Sequence, residues 1–280
     1  MRPIHYITIL SAIALTVLLY FVNTKPIKNG DKKAAAPQAV TTATPHSVPA
    51  SFDTVLTAAK VALPMHAKEE IAVAEQNVAK QQDSTQMVGG MEQLAKIWQE
   101  HKHFPIAAHY YLLAGKLANS EKKLNFAAQL FLDLARRSQS ESMQAWEGQM
   151  AIEGFTRVIA LNPENDTATV NLAECYIGMG ETMKGVMMLR DFSQKRPDNI
   201  PANLILGQQG IVSGQLDKAE ERFHKVLASD KNNMEAMLGL AEVYKSKGEK
   251  SKAIEILERA KAIMDNPDFS KDIDNYIKTF

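Results

Sequence analysis

Apolar and small side chains recur along the C-terminal half of the chain at a fixed spacing of 34 residues. Large apolar residues keep this step at Leu172, Leu206 and Leu240, and again at Leu189, Phe223 and Leu257. Small residues keep it at Ala173, Gly207 and Ala241, and at Gly180, Gly214 and Gly248. A fixed period of this length predicts an array of helix pairs, because each pair buries its apolar face only against the next pair.

Residues 4–22 form a nearly continuous apolar run without Asp, Glu, Lys or Arg. At about 1.5 Å per residue, a helix of about 20 residues crosses the roughly 30 Å hydrocarbon core of a bilayer. The run therefore predicts a transmembrane signal anchor within residues 1–23. A cleaved signal peptide is the alternative, although its apolar region is normally shorter, about 7–15 residues.

Residues 24–50 are rich in Pro, Ala and Thr and poor in large apolar residues, so we expect a flexible, disordered linker. Arg2 precedes the apolar run, and four lysines follow it, Lys25, Lys28, Lys32 and Lys33. By the positive-inside rule these lysines place the rest of the chain in the cytoplasm. The linker, in contrast, is similar to the spacers of exported bacterial proteins. We expect a single-pass membrane protein whose soluble domain lies on the exported, periplasmic side.

Residues 51–86 predict two membrane-proximal helices. Ser51 is a suitable N-cap for the first, whose apolar face consists of Phe52, Val55, Leu56, Ala59 and Leu63. Pro64 interrupts the pattern, and the second helix has a narrower apolar face at Ile71, Ala74 and Val78. We expect both faces to pack on the helix-pair array, and self-association is the alternative.

Each unit of the period has a Leu and a small residue in its first helix, and two of the three units also have an aromatic residue there. A glycine follows at the turn, and the second helix has a small and a large residue. In residues 234–267 these positions are Leu240, Ala241, Tyr244, Gly248, Ala253 and Leu257. The pattern resembles the tetratricopeptide repeat, a helix-turn-helix unit. Residues 166–199 have Tyr176 at the aromatic position, whereas residues 200–233 carry Gly210 there. The resemblance implies three clear repeats over residues 166–267.

Residues 87–165 resemble two degenerate repeats. The first carries Leu94-Ala95, Trp98 and Tyr111, with His103-Phe104-Pro105 in place of the turn. The second pairs Ala127-Ala128 and Phe131 with Ala151 and Phe155, and it exceeds the period by about ten residues. We expect an extended turn and a longer second helix around residues 138–149 to take up this extra length.

Residues 268–280 predict a capping helix, because an end repeat would otherwise expose its stacking face. The resemblance thus implies an all-α fold, an α-solenoid of about five tetratricopeptide-like helix pairs plus this cap. One transmembrane helix and the flexible linker precede the solenoid in this interpretation.

Composition and motifs give no sign of catalysis. The 32 basic and 32 acidic residues balance, so nothing favours binding to nucleic acid. No nucleophile-elbow, zinc-protease or phosphate-loop sequence occurs, and we predict no enzymatic activity. We also predict no cofactor and no metal site, because His101, His103 and His109 lack the spacing that zinc ligands favour on a helix. The single cysteine, Cys175, is interpreted as a small packing residue.

A local methionine cluster lies in the first clear repeat and consists of Met179, Met183, Met187 and Met188. Methionine is flexible and suits adaptable binding surfaces. At helical spacing such residues more often fill the core, and we favour that interpretation.

In the tetratricopeptide-repeat family, the first helices of successive repeats line a concave groove that receives peptides or helices. The resemblance implies that the equivalent residues of this chain face such a groove: Asn171, Glu174, Gln208, Ile211, Glu242 and Lys245. Some family members bind a terminal carboxylate there through Lys, Arg and Asn. This chain has Val170, Glu174, Leu204 and Gln208 at the corresponding places. Mixed polar and apolar contacts are therefore expected instead of a carboxylate clamp.

The anchor, the linker and the repeat array together lead to a functional expectation. We expect a membrane-tethered scaffold that binds another protein or peptide, of unknown identity, as an adaptor in a bacterial envelope assembly. Secretion, envelope-protein biogenesis and cofactor maturation are the candidate processes. The alternative is a self-associating structural membrane protein in which residues 51–82 drive formation of a homo-oligomer.

Overall fold

The computed structural model describes residues 48–280, which form thirteen helices and no strand. The predicted all-α fold is confirmed over these residues. The anchor predicted at residues 4–22 and nearly all of the linker lie outside the described residues. No helix in the described part combines the length and apolar character that spanning a membrane requires.

The helices follow one another with short connections. Their bounds are α1 (Phe52–Ala62), α2 (Met65–Lys80), α3 (Ser84–Glu100), α4 (Phe104–Leu117), α5 (Glu121–Arg137), α6 (Glu141–Leu161), α7 (Asp166–Gly178), α8 (Thr182–Lys195), α9 (Ile200–Val212), α10 (Leu216–Ser229), α11 (Met234–Ser246), α12 (Lys250–Met264) and α13 (Pro267–Ile277). Helices α3 to α10 form four successive pairs, as predicted for this part of the solenoid, and α11 and the first turns of α12 follow them.

The described chain falls into two compact units. One spans Pro45–Ile256 and includes α1 to α11 with the first turns of α12. The other includes Leu257–Phe280, with the rest of α12 and all of α13. Within this second unit, the Nζ of Lys261 on α12 lies 2.5 Å from Oδ1 of Asp274 on α13. The capping role assigned to residues 268–280, like the other segment boundaries, stays a prediction.

The 34-residue period sets both ends of the first helix in each clear repeat. The glycines at the predicted turns have left-handed φ angles of 84° at Gly180, 72° at Gly214 and 78° at Gly248. Glycine is favoured there because it has no Cβ to clash in that conformation. At the other end, three asparagines 34 residues apart act as N-caps. Their side-chain oxygens accept backbone N–H bonds of 2.8, 3.0 and 3.0 Å at Asn165, Asn199 and Asn233.

The N-terminal helices pack on the repeats. Ser51 caps α1 by accepting a hydrogen bond from the Thr54 amide at 3.2 Å. The Phe52 ring stacks on His109 of α4, with ring centroids 3.7 Å apart. Ile71 of α2 is buried in the same cluster as Trp98 of α3. The apolar faces of α1 and α2 are therefore used in packing on the array, as expected.

Two predicted turns differ from the structure. Between α3 and α4 the turn lies at residues 101–103, with Lys102 at a left-handed φ of 63°, and Phe104 already begins the next helix. Pro105 fits the first turn of α4, where its missing N–H costs no helical hydrogen bond. The expected extended turn near residue 138 is wrong, because only residues 138–140 separate α5 from α6. The longer second helix is confirmed, since α6 has 21 residues.

Two methionines of α8 correct another expectation, whereas the third, Met188, packs against the core as expected. Met183 is 73% exposed and Met187 is 55% exposed, so neither fills the core. The buried face of α8 consists of Gly185, Leu189 and Ser193. Residues 183 and 187 are one helical turn apart and lie away from that face. Helical spacing alone could not tell which side of α8 the neighbouring helices cover.

Candidate functional site

A cavity of about 580 Å³ opens across the first helices of successive pairs in the unit that ends at Ile256. We call this cavity the groove. Helices α5, α7 and α9 supply most of its lining, and α6 and α11 contribute at the edges. Its lining residues are Leu132, Ala135, Arg136, Gln144, Gly148, Val170, Asn171, Glu174, Cys175, Ile177, Gly178, Met179, Pro201, Leu204, Ile205, Gln208, Gln209 and Glu235.

The groove brings together three of the six predicted site residues, Asn171, Glu174 and Gln208. Ile211 at the end of α9 and Glu242 and Lys245 of α11 do not line this cavity. At the 34-residue step the six fall at three positions of the repeat: 174, 208 and 242 at one, 211 and 245 at another, and 171 at a third. The cavity, however, extends over α5, α7 and α9 and reaches only the first turn of α11. A binding role for these residues stays a prediction.

An ion pair links two walls of the groove. The Arg136 guanidinium on α5 donates to the Glu174 carboxylate on α7, with Nη2 at 2.6 Å from both carboxylate oxygens. Asp133 accepts a further hydrogen bond of 3.1 Å from Nη1 of Arg136. Bidentate pairs of this kind fix the orientation of both side chains. Arg136 is therefore held at the groove by carboxylates on both helices.

The amides of the groove differ in what they offer a ligand. Asn171 donates a 2.7 Å hydrogen bond from Nδ2 to Oε1 of Gln129, which orients its side chain. The amide of Gln208 has no hydrogen-bond partner among residues 48–280. Glu235 stands exposed at the mouth of the groove, and no described cation forms an ion pair with it. Gln208 and Glu235 thus leave donors and acceptors for a bound molecule.

The cysteine in the groove wall is a packing residue, as interpreted. Cys175 is 3% exposed and belongs to the core cluster around Phe131 and Phe155. Burial, and then the charge of Glu174, raise the pKa of its thiol to about 12. A thiol with so high a pKa stays protonated at neutral pH and is a poor nucleophile.

The histidines have separate surroundings. His101 lies 3.1 Å from Glu70, His103 meets the edge of the Trp98 ring, and His109 stacks on Phe52. Within residues 48–280, no group of three or more His, Cys, Asp or Glu side chains is arranged to hold a metal ion.

Arg136, Gln144 and Glu235 were not recognised as site residues in the sequence. Glu235 follows the N-cap Asn233 by two residues and lies in the first turn of α11. The 34-residue period could therefore have predicted its position. Arg136 and Gln144 belong to α5 and α6, whose extra length breaks the 34-residue step. The spacing of the clear repeats therefore cannot predict the positions of Arg136 and Gln144.

The tetratricopeptide repeat family matches residues 211–271. No curated protein matches the chain. Among solved structures, MamA from Desulfovibrio magneticus RS-1 (residues 41 to the end) is 15% identical, with 65% of this chain and 97% of that chain covered and a TM-score of 0.51. A tetratricopeptide repeat protein from Parabacteroides merdae ATCC 43184 is 17% identical, with coverage of 69% and 73% and a TM-score of 0.50. At these identities the likeness concerns the fold, and it extends beyond the residues that match the family.

Proposed function

We propose that this chain, which is a tetratricopeptide-repeat protein, is a scaffold that holds another protein or peptide in the groove. The observation that carries the proposal is the cavity of about 580 Å³ along the first helices of three successive pairs. Its volume lies in the range of about 300–1,000 Å³ that is usual for binding pockets. Helix-pair arrays typically present extended surfaces of this kind to their partners.

The lining favours a protein segment with mixed character. Leu132, Leu204 and Ile205 offer apolar surface to a partner's side chains. The unpaired amide of Gln208 is suited to hydrogen bonds with a partner's backbone. The carboxylate of Glu235 at the mouth favours a basic side chain nearby. An extended segment with apolar residues and a Lys or Arg satisfies all three features.

Membrane tethering and an envelope role complete the proposal. They rest on the sequence: the apolar run at residues 4–22 is long enough to cross a bilayer, and the linker at residues 24–50 separates it from the helices. We place the repeat unit on the exported, periplasmic side, as an adaptor in secretion, envelope-protein biogenesis or cofactor maturation. The self-associating alternative is less favoured, because the apolar faces of α1 and α2 pack on the repeats.

Catalysis is not part of the proposal. The one thiol of the groove has a pKa of about 12, and the Glu174 carboxylate is engaged by Arg136. These groups position and bind more readily than they transfer protons or attack a substrate.

Co-purification from membranes tests the proposal. The full-length chain, tagged at its C-terminus, is isolated in detergent from its own cells as wild type, as Leu204→Glu and as Lys122→Glu. Lys122 is exposed on α5 and lines no part of the groove, so it is a charge-changing control. We expect Leu204→Glu to lower the yield of specific partners about tenfold or more, because a carboxylate in the groove opposes apolar contacts.

The melting temperature of each variant checks that it is folded. Partners that are retained equally by Leu204→Glu and Lys122→Glu would overturn the proposal, because their binding would not depend on the groove. The same conclusion follows if the wild type retains no protein above an untagged background.

A further inference from the structure

A second cavity of about 690 Å³ lies between α8 and the pair formed by α9 and α10. We call it the side cleft. Met183 and Val186 of α8 and Leu206 of α9 give it an apolar wall, and Lys218 and Arg222 of α10 border it. Gln209 is the one residue that also lines the groove.

The side cleft lies where the middle repeat lacks an aromatic residue. In the repeats on either side, a lysine rests over a tyrosine ring. The Nζ of Lys184 is 3.6 Å from the ring centroid of Tyr176, and that of Lys252 is 5.1 Å from the centroid of Tyr244. Both distances are within the range of a cation–π interaction. Counting 34 residues from each pair leads to Lys218 and Gly210, so the middle repeat keeps the lysine and has no ring.

The middle repeat also lacks the carboxylate that pairs with this lysine in the repeats on either side. Lys184 forms an ion pair with Glu181 at 3.2 Å, and Lys252 forms one with Glu249 at 2.6 Å. The equivalent residue beside Lys218 is Gln215, whose Oε1 accepts a 2.7 Å hydrogen bond from Nζ. The amide carries no charge, so at this position no carboxylate pairs with Lys218 at the edge of the side cleft.

Two arginines add positive charge at the side cleft, and that of Arg222 also acts, after Lys225, to lower the pKa of the Glu221 carboxyl. Arg222 donates to the neutral Oδ1 of Asn203 at 3.0 Å, and Arg190 forms no ion pair with any residue in 48–280. Lys225, in contrast, forms an ion pair with Glu221 at 2.7 Å. The carboxylate of Glu221 at the edge of the cleft is therefore already engaged.

The exposed apolar wall suits a variable ligand. Met183, which is 73% exposed, borders the side cleft. Methionine adapts its shape and makes favourable sulfur contacts with aromatic rings. The side cleft thus presents Lys218 and Arg222 of the middle repeat beside Arg190 and the apolar surface of α8. The middle repeat has neither the ring nor the carboxylate that the repeats on either side place against the equivalent lysine.

We propose that the side cleft binds a partner protein segment carrying an aromatic side chain next to an Asp or Glu. The ring enters the side cleft and lies under Lys218. It does not take the place of a side chain at residue 210, because a Cβ there would be 3.0 Å from the Cβ of Ala219. The adjacent carboxylate meets Arg190 and Arg222. The inference is independent of the occupant of the groove, because the two cavities have only Gln209 in common among their lining residues.

Selection from a random library of twelve-residue peptides tests the proposal. Peptides are selected for binding to the full-length wild type and then depleted on the variant Arg190→Glu/Gln215→Glu. Glutamate at position 215 is what the neighbouring repeats carry, so it neutralises Lys218 with little cost to the fold. We expect the remaining peptides to share Phe, Tyr or Trp within about three residues of Asp or Glu, since the ring and the carboxylate must reach one cleft.

Fluorescence anisotropy with the selected peptides then measures affinity. We expect the protein variant Gln215→Glu to weaken peptide binding about tenfold or more. A peptide with Leu in place of its aromatic residue should lose as much affinity for the wild type. The protein variants Lys122→Glu and Leu204→Glu should bind the peptides as tightly as the wild type does.

Three results would overturn the proposal. One is a selection whose peptides lack the pair of an aromatic and an acidic residue, or that returns no peptide binding the wild type more tightly than Arg190→Glu/Gln215→Glu. Another is peptide binding that Lys122→Glu weakens as much as Gln215→Glu does, because binding would then depend on the overall charge of the protein and not on the side cleft. The third is binding of phosphatidylglycerol vesicles that is lost in the cleft variant and kept in Lys122→Glu, which would make an anionic lipid surface the occupant.

Discussion

The ring of Phe223 on α10 lies so close to Gly239 on α11 that a Cβ at residue 239 would be 2.4 Å from the ring's Cζ. The same ring lies against Gly207 on α9, where a Cβ would be 2.8 Å from Cζ. One bulky side chain therefore fills the space that two glycines leave on neighbouring helices. This is how successive pairs approach closely enough to share a core.

Gly239→Ala is expected to destabilise the protein by about 1–3 kcal/mol, because the added methyl group overpacks a rigid ring. Urea denaturation followed by circular dichroism measures the change. Gly89→Ala in α3 is the matched control, since its Cβ would meet nothing within 4 Å. There we expect no loss, or a gain of up to about 1 kcal/mol, from alanine's higher helix propensity. Equal stability of Gly239→Ala and wild type would contradict the packing described for Phe223.

The sequence period predicted the packing of the clear repeats well, because it repeats the same contacts three times. The glycine turns at residues 180, 214 and 248 follow directly from it. It also contains the N-caps at Asn165, Asn199 and Asn233, although this signal was not recognised.

Features that depend on one place in the fold were harder to predict. The exposure of Met183 depends on which face of α8 the neighbouring helices leave uncovered. The apolar character of a side chain does not show which face that is. The groove was predicted in part, through Asn171, Glu174 and Gln208. Arg136 was missed because α5 and α6 depart from the period, so its distance to Glu174 is a property of the folded chain alone.

The half-buried His109 makes stability depend on pH below neutrality. Burial, then the charge of Lys116, lower the pKa of His109 to about 4, whereas Glu153 and Asp53 oppose this. Between pH 6.5 and 4 the unfolded chain binds a proton that the folded chain does not, so the free energy of unfolding falls as pH falls, by up to about 3 kcal/mol.

His109→Phe keeps a ring against Phe52 and removes the titration. Its unfolding free energy, measured in urea at pH 4.5 and pH 7, should therefore fall less with acid than that of the wild type. A pH dependence identical in both proteins would show that His109 titrates normally.

Glu147 gives a pH dependence of the opposite sign. It is 3% exposed in α6, and burial raises the pKa of its carboxyl to about 7 against a weaker opposing hydrogen bond with Ser138. Between pH 4.5 and 7 the folded chain holds a proton that the unfolded chain has lost. The free energy of unfolding therefore falls as pH rises, by up to about 3 kcal/mol from this group.

Glu147→Gln keeps the shape of the side chain without its charge. The variant should gain stability relative to wild type at pH 8 and show little difference at pH 5, in denaturant unfolding at both values. A stability difference that is the same at pH 5 and pH 8 would contradict the assigned pKa.

The claim that the groove holds a protein partner is tested most directly by site-specific photo-crosslinking. A photoreactive amino acid replaces Gln208, Asn171 or, as the control outside the groove, Lys122 in the full-length chain, and intact cells are illuminated. The account predicts one covalent adduct of the same mass from residues 208 and 171 and none of that mass from residue 122. No adduct from either groove position, or the same adduct from all three, would contradict it.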